Sequence, residues 1–261
     1  MEGTERTIAA FFDVDNTLIR GASSYHLARE LYRRGFFRFS DIFFAARHAA
    51  LYTLFGESVP RVTAVRERAL ATIKGHRVAE IISIGEEVYT RVLAPRIVLG
   101  TKLLLDEHLG AGHEVWLVTA TPLELSEHIA ARLGATGALG SRAEAHNGVY
   151  TGRLQAPFLH GRMKAEAIVQ LAEARNIDTV ASYAYGDSIN DVPLLESVGN
   201  PVAVNPEPRL RAYARRRGWE IVTFPQSRRR LMTGLGRGLR SASLAGALWA
   251  GAMIVRSLRK Q

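Results

Sequence analysis

Two carboxylates, Asp13 and Asp15, stand two positions apart just after an apolar run at residues 8–12. A run of that length followed by Asn16 and Thr17 predicts a short buried strand ending in a turn. Side chains at i and i+2 of a strand share one face, so the two acids occupy one small volume whether the strand continues or turns at Val14. Like charges held that close raise a pKa or recruit a cation. The chemistry open to such a pair is nucleophilic attack, proton transfer and a seat for Mg²⁺. Taken alone, the pair fits an ordinary turn or helix cap equally well.

Two further segments place chemistry at strand ends. The apolar run 180–185 leads into Gly186-Asp187-Ser188-Ile189-Asn190-Asp191, and the run 114–118 leads into Thr119-Ala120-Thr121. In a parallel sheet the carboxyl ends of all strands lie on one edge, where Asp187 and Asp191 could meet Asp13 and Asp15. Lys164, near the start of an amphipathic helix expected at 163–175, could bring a positive charge there. Each residue has an ordinary account: Thr119 as a cap, Lys164 as a solvated lysine, the acids as turn residues. Their ordered arrival on one edge is what favours a site.

These segments, in this order, resemble the motifs of the haloacid dehalogenase superfamily, in its subfamily IB, the phosphoserine-phosphatase-like group. The resemblance runs from about residue 8 to residue 224 and rests most on Asp13-Val14-Asp15-Asn16-Thr17 and on Gly186 to Asp191. It implies an α/β fold, a doubly wound and mostly parallel Rossmann-like sheet, with a helical-bundle cap inserted after the first strand. The implied domains are a hydrolase core at 1–20 and 96–226 and a cap at 21–95. Asp13 is implied as nucleophile and Asp15 as general acid and base. Thr119, Ala120, Lys164 and Asn190 are implied at the substrate phosphate, and Asp13, Asp15 and Asp187 at Mg²⁺, with Asp191 supporting them. The substrate class is a small or lipid-derived phosphomonoester; transfer to an acceptor other than water, and a catalytically idle scaffold, are the competing readings.

The cap region reads as four helical runs, 24–34, 41–55, 60–73 and 77–93, punctuated by Gly35, Gly56 and Gly75. Its cluster of aromatics, Phe36, Phe37, Phe39, Phe43, Phe44, Tyr52 and Phe55, is expected mainly to fill the cap's own core. Residues 146–152 resemble a hairpin of the same subgroup, with Asn147-Gly148 as its two-residue turn. Phosphoserine phosphatases carry an amine-binding glutamate nine positions after the nucleophile, where this sequence has Ala22. Phosphoserine is therefore not expected to be the preferred substrate. Arg66 and Arg68 fall near the subgroup's carboxylate-binding arginine, out of register by at least one residue.

Composition fits a globular enzyme: 261 residues are 47% hydrophobic, and the absence of cysteine excludes disulfides, thiolate metal sites and cysteine catalysis. With no signal-peptide pattern at residues 1–20, a cytoplasmic location is expected. The net charge of +9 owes much to arginines beyond residue 208. No recognition motif accompanies them, so a nucleic-acid partner is not expected. Residues 227–261 form a basic, apolar tail whose uncharged stretch, 241–255, is shorter than the roughly 18 residues of a membrane span. A self-packed or mobile tail and a peripheral contact with anionic membrane remain open.

Overall fold

The computed structural model describes residues 6–36, 70–71 and 73–224 of the protein. Its main sheet is built from β1 (Ala9–Phe12), β2 (Glu114–Pro122), β3 (Gly137–Ser141), β6 (Tyr183–Gly186), β7 (Asn200–Val204) and β8 (Glu220–Val222). The strand order is β3-β2-β1-β6-β7-β8, and every pairing is parallel. The chain winds outward from β1 in one direction through β2 and β3, and in the other from β6 to β8. The crevice between β1 and β6 is thus the point where the strand order reverses, the place where such sheets bind ligands.

Period-two alternation along β1 gives the sheet two buried faces. Ala10 and Phe12 join one cluster with Leu105 of α3 (Leu99–Gly110) and Ile129 of α4 (Leu123–Leu133). Ala9 and Phe11 join another with Ile168 of α5 (Arg162–Arg175), Leu194 of α6 (Val192–Leu195) and Leu210 of α7 (Pro208–Arg217). Apolar residues on both faces of one strand are what a sheet covered by helices on each side demands.

The described ends of the inserted region are α1 (Ser23–Arg33) and α2 (Val78–Val88). Leu27 and Leu31 of α1 and Ile81, Ile84 and Val88 of α2 pack into the first of the two clusters. Arg34 bonds Glu87 at 2.7 Å across the two helices. The expected runs at 41–55 and 60–69, the aromatics beyond Phe36, Arg66, Arg68 and the tail from 225 lie outside the described residues. Phe36 stacks on His76 at 4.2 Å. Among the described residues no helix is long and apolar enough to cross a membrane.

Three boundaries differ from expectation for identifiable reasons. β2 does not stop at Val118 but runs on to Pro122, because a register shift lets Pro122 pair with Ser141 of β3. β6 starts only at Tyr183, since the Asp178 carboxylate accepts the amides of Val180 and Ala181 and holds them in a turn. The last helix of the insertion gives way at Tyr89–Leu93 to a π-turn and then to a 3₁₀ turn. There the Thr90 hydroxyl takes the Glu86 carbonyl, and Pro95 has no N–H to give. The hairpin forms as expected: β4 (Ala143–His146) and β5 (Val149–Leu154) meet at Asn147 and Gly148, both with positive φ, 50° and 74°.

Beneath the sheet, the buried His108 ring bonds Tyr185 Oη at 2.7 Å and His113 Nδ1 at 2.8 Å. Burial, then the neighbouring His113, brings its pKa from 6.5 down to about 4. A base depressed on folding stabilises the fold above about pH 6.5, and this contribution is lost as pH falls toward 4. His108→Gln is expected to flatten the pH dependence of stability over that window by about 1–3 kcal/mol in denaturant titrations. An unchanged slope would remove His108 from the account.

Candidate active site

Asp13 follows β1 directly, and its amide donates to the Tyr185 carbonyl at 2.9 Å, extending the pairing with β6 by one residue. The chain then turns sharply: the amides of Leu18 and Ile19 both donate to the Val14 carbonyl, at 3.1 and 2.8 Å. Asn16 takes a left-handed φ of 67°, which Asn tolerates, and its Oδ1 accepts the Gly21 amide at 3.0 Å. This turn buries Thr17, whose hydroxyl donates to Asp187 Oδ1 at 3.3 Å. The Thr101 hydroxyl of α3 in turn donates to the Thr17 carbonyl at 2.8 Å.

On the other side of the crevice, Gly186 ends β6. A Cβ there would lie 2.8 Å from Cβ of Asp191, so only glycine lets the following loop fold back on the strand end. Ser188 and Asp191 form a capping box around the 3₁₀ turn Ile189–Asp191. Asp191 Oδ2 accepts the Ser188 amide at 3.2 Å, which leaves Oδ1 for the Lys164 ammonium at 2.7 Å. Asn190 sits on this turn with its amide donating to Ser188 Oγ at 3.3 Å.

Lys164, in the first turn of α5, also donates to Asp13 Oδ1 at 2.5 Å. Asp13, Asp187 and Asp191 are all buried, and each offers an oxygen within 4.8 Å of the others. Three carboxylates against one ammonium leave two negative charges uncompensated in a buried volume. Burial first, and then the charges of the other carboxylates, push Asp13 and Asp187 well above the usual carboxylate range. Burial alone would depress Lys164, but Asp13 and Asp191 more than reverse this and keep it charged. An all-oxygen donor set short of two positive charges fits a hard divalent cation.

Asp15 is placed differently. Its Oδ1 accepts both the amide of Ser23, at 2.8 Å, and the Ser23 hydroxyl, at 2.5 Å, and its carboxylate is not among the three clustered acids. The hydroxyls behind it form a chain: Thr119 Oγ1 donates to Thr121 Oγ1 at 3.1 Å, and Thr121 Oγ1 lies 2.7 Å from Ser23 Oγ. Each hydroxyl has one hydrogen, so Thr119→Thr121→Ser23→Asp15 can run in one direction only. Oδ1 is therefore wholly an acceptor, and a proton carried by Asp15 belongs on Oδ2. Burial raises its pKa, and the two bonds from Ser23 oppose that rise. Thr119 and Thr121 share a face because the strand continues through them; Ala120 points the other way, its carbonyl accepting the Ser141 hydroxyl at 2.9 Å.

Thr17, Ser23 and Thr121 were not among the residues singled out from the sequence. Thr121 could have been found by its i+2 spacing from Thr119, but nothing local marks Ser23, which meets Thr121 across 98 positions. Removing the Ser23 hydroxyl (Ser23→Ala) is expected to lower kcat about 10–100-fold with KM little changed, since a bond to a charged group is worth about 1.5–3 kcal/mol. Steady-state kinetics at saturating substrate would show it.

A model of the haloacid dehalogenase-like hydrolase family matches residues 10–196. The chain belongs to that family. Among curated relatives, phosphoserine phosphatase SerB1 of Mycobacterium tuberculosis is 46% identical over 243 residues, covering 93% of this chain and 79% of that protein. Histidinol-phosphatase of Neisseria meningitidis serogroup C is 28% identical over 223 residues, covering 82% of this chain and 98% of that one. Among solved structures, a Bordetella pertussis protein described as of unknown function superposes with a TM-score of 0.71 at 30% identity, covering 83% of this chain and 98% of that chain. The chain is a phosphatase of this family, with relatives of the phosphoserine-phosphatase type.

Proposed function

We propose that this protein is a Mg²⁺-dependent phosphomonoester phosphatase that works through an aspartyl-phosphate on Asp13 and acts on a small phosphorylated metabolite. The observation that carries the reading is the contact of Lys164 with Asp13 inside a buried cluster of three carboxylates. Phosphoryl oxygens repel an attacking carboxylate, so positive charge must be supplied where the two meet. Lys164 supplies one such charge. Asp13, Asp187 and Asp191 are the side chains that would hold Mg²⁺, which when bound neutralises phosphoryl charge.

In the first displacement a carboxylate oxygen of Asp13 bonds to phosphorus, the ester P–O bond breaks, and the departing alkoxide takes a proton from Asp15 Oδ2. In the second, Asp15 removes a proton from water, whose oxygen bonds to phosphorus while the acyl-phosphate bond breaks and Asp13 is regenerated. The Ser23 bonds fix the Asp15 carboxyl plane, so one oxygen serves both transfers. Thr119, Ala120 and Asn190 are the remaining candidates for the phosphoryl oxygens. The domain division, core at 1–20 and 96–226 with a cap at 21–95, belongs to the same reading.

A second substrate reading, phosphoserine, is favoured by the name of the 46% identical relative and disfavoured by Ala22, which caps α1 without a carboxylate. Phosphoserine and histidinol phosphate, the substrates named for the two relatives, are both phosphomonoesters of amino alcohols. A screen of phosphorylated amino acids, amino alcohols, sugars, polyols and lipid headgroups, with Mg²⁺ and with chelator, decides. Hydrolysis of monoesters with Mg²⁺ and none with chelator is expected. Silence across the panel with Mg²⁺ present would overturn the reading. Competing alcohols that collect the phosphoryl group would redirect it to a phosphotransferase.

A further inference from the structure

Beside the phosphoryl site, toward α1 and α4, lies a cavity of about 80 Å³. Its walls are mainly apolar: Leu27 and Leu31 of α1, Ile81 of α2, Pro122, Leu154 and Phe158. It is contiguous with the catalytic residues. Pro122 follows Thr121 directly, Leu27 lies one helical turn beyond Ser23, and Ser141 on the far wall bonds the Ala120 carbonyl. A group leaving phosphorus past Asp15 would enter this space.

Two side chains bring acidic or hydroxyl groups whose satisfaction differs. Ser141 Oγ donates to the Ala120 carbonyl and accepts the Leu159 amide at 3.2 Å, so it needs nothing more. Glu124 is half satisfied: Tyr150 Oη donates to its Oε1 at 2.7 Å, while Oε2 is buried without a hydrogen-bond partner among the described residues. A position in the first turn of α4 suits a negative charge. That accounts for an acid there, not for a tyrosine holding one of its oxygens while the other stays bare beside a cavity. A buried acceptor without a donor is costly and rare in folded proteins. A charged acceptor is best satisfied by a cationic donor.

Resting on the phosphatase reading above, we propose that Glu124, oriented by Tyr150, determines substrate choice by receiving the amino group of the leaving alcohol. The substrate class is then the phosphomonoester of an amino alcohol with a small apolar body. The carboxylate missing at position 22 of α1 is on this reading supplied from α4, across the same cavity.

The test compares leucinol phosphate with isohexyl phosphate, the same skeleton without the amine, at saturating Mg²⁺. Wild-type kcat/KM is expected to favour the amine about 10–100-fold, the range of one charge-assisted bond. Glu124→Gln is expected to bring that ratio within about threefold, mainly through KM, and Tyr150→Phe to lower it partway. A wild-type ratio near one, or a ratio unmoved in Glu124→Gln, overturns the proposal. Should Glu124→Gln fail to fold, as read by its melting curve, the wild-type ratio and Tyr150→Phe decide: an undiminished ratio in Tyr150→Phe then counts against it. Hydrolysis of both esters and of p-nitrophenyl phosphate without amine preference sinks this proposal alone. Failure to hydrolyse any of the three with Mg²⁺ sinks the phosphatase reading and takes the proposal with it.

Discussion

Replacing Asp13 by asparagine is expected to lower turnover by at least about 10⁴-fold, the scale seen when a covalent nucleophile is removed. The change is isosteric, and the amide nitrogen cannot form the acyl-phosphate. The fold should survive, because Lys164 keeps its 2.7 Å bond to Asp191 and Thr17 keeps its bond to Asp187. Stability in chelator should hold or rise. Asp13 is one of three buried carboxylates whose pKa values are driven up by burial and by one another, so deleting its charge relieves the other two. The melting-temperature increase produced by Mg²⁺ should shrink, since an ion that binds the native state stabilises it by mass action, and one of its three carboxylates is gone. Turnover within tenfold of wild type, or a Mg²⁺ shift unchanged in size, would exclude Asp13 from the role.

Lys164→Met should be the more damaging change to the fold. The ammonium is buried and bonds Asp13 and Asp191 at 2.5 and 2.7 Å, so its removal leaves the cluster without the cation that reaches it from the protein. Breaking a buried ion pair by deleting one partner typically costs about 3–5 kcal/mol, because the surviving charge stays out of water uncompensated. Denaturant titration in chelator should show that loss. Mg²⁺ should recover part of it, and a loss below about 1 kcal/mol in chelator would mean that the carboxylates are not charged together as the geometry implies. Activity should fall in parallel, as phosphoryl oxygens lose a positive neighbour.

The core of the site was legible because strand physics made it so. Apolar runs ending in acids put Asp13 and Asp187 at strand ends, and in a parallel sheet strand ends share an edge. The structure places both in the crevice between β1 and β6, with Lys164 reaching across from α5. Asp191, expected as a supporting residue, stands within the carboxylate cluster itself, since its loop folds tightly against Gly186. Asp15 was expected among the metal ligands, yet its carboxylate is turned to Ser23 by a hydrogen-bond chain whose members are distant in sequence. Contacts of that kind depend on how α1 docks on the end of β2, and no local pattern encodes it. The extension of β2 was missed for a related reason: its pairing with β3 resumes only after a register shift, and the Thr-Ala-Thr-Pro sequence there reads locally as a turn. The bare oxygen of Glu124 was equally invisible, because an unmet acceptor is defined by what surrounds it in space.

The most direct measurement is a single turnover with a radiolabelled phosphomonoester, quenched in acid and analysed for label bound to protein, in Mg²⁺ and in chelator. With Mg²⁺, label should be found covalently on the peptide carrying Asp13. It should accumulate further in Asp15→Asn, where release of the phosphoryl group is slowed about 10²–10⁴-fold, and be absent in Asp13→Asn and in chelator. Product formed without any labelled protein, or label carried by a residue other than Asp13, would contradict the account.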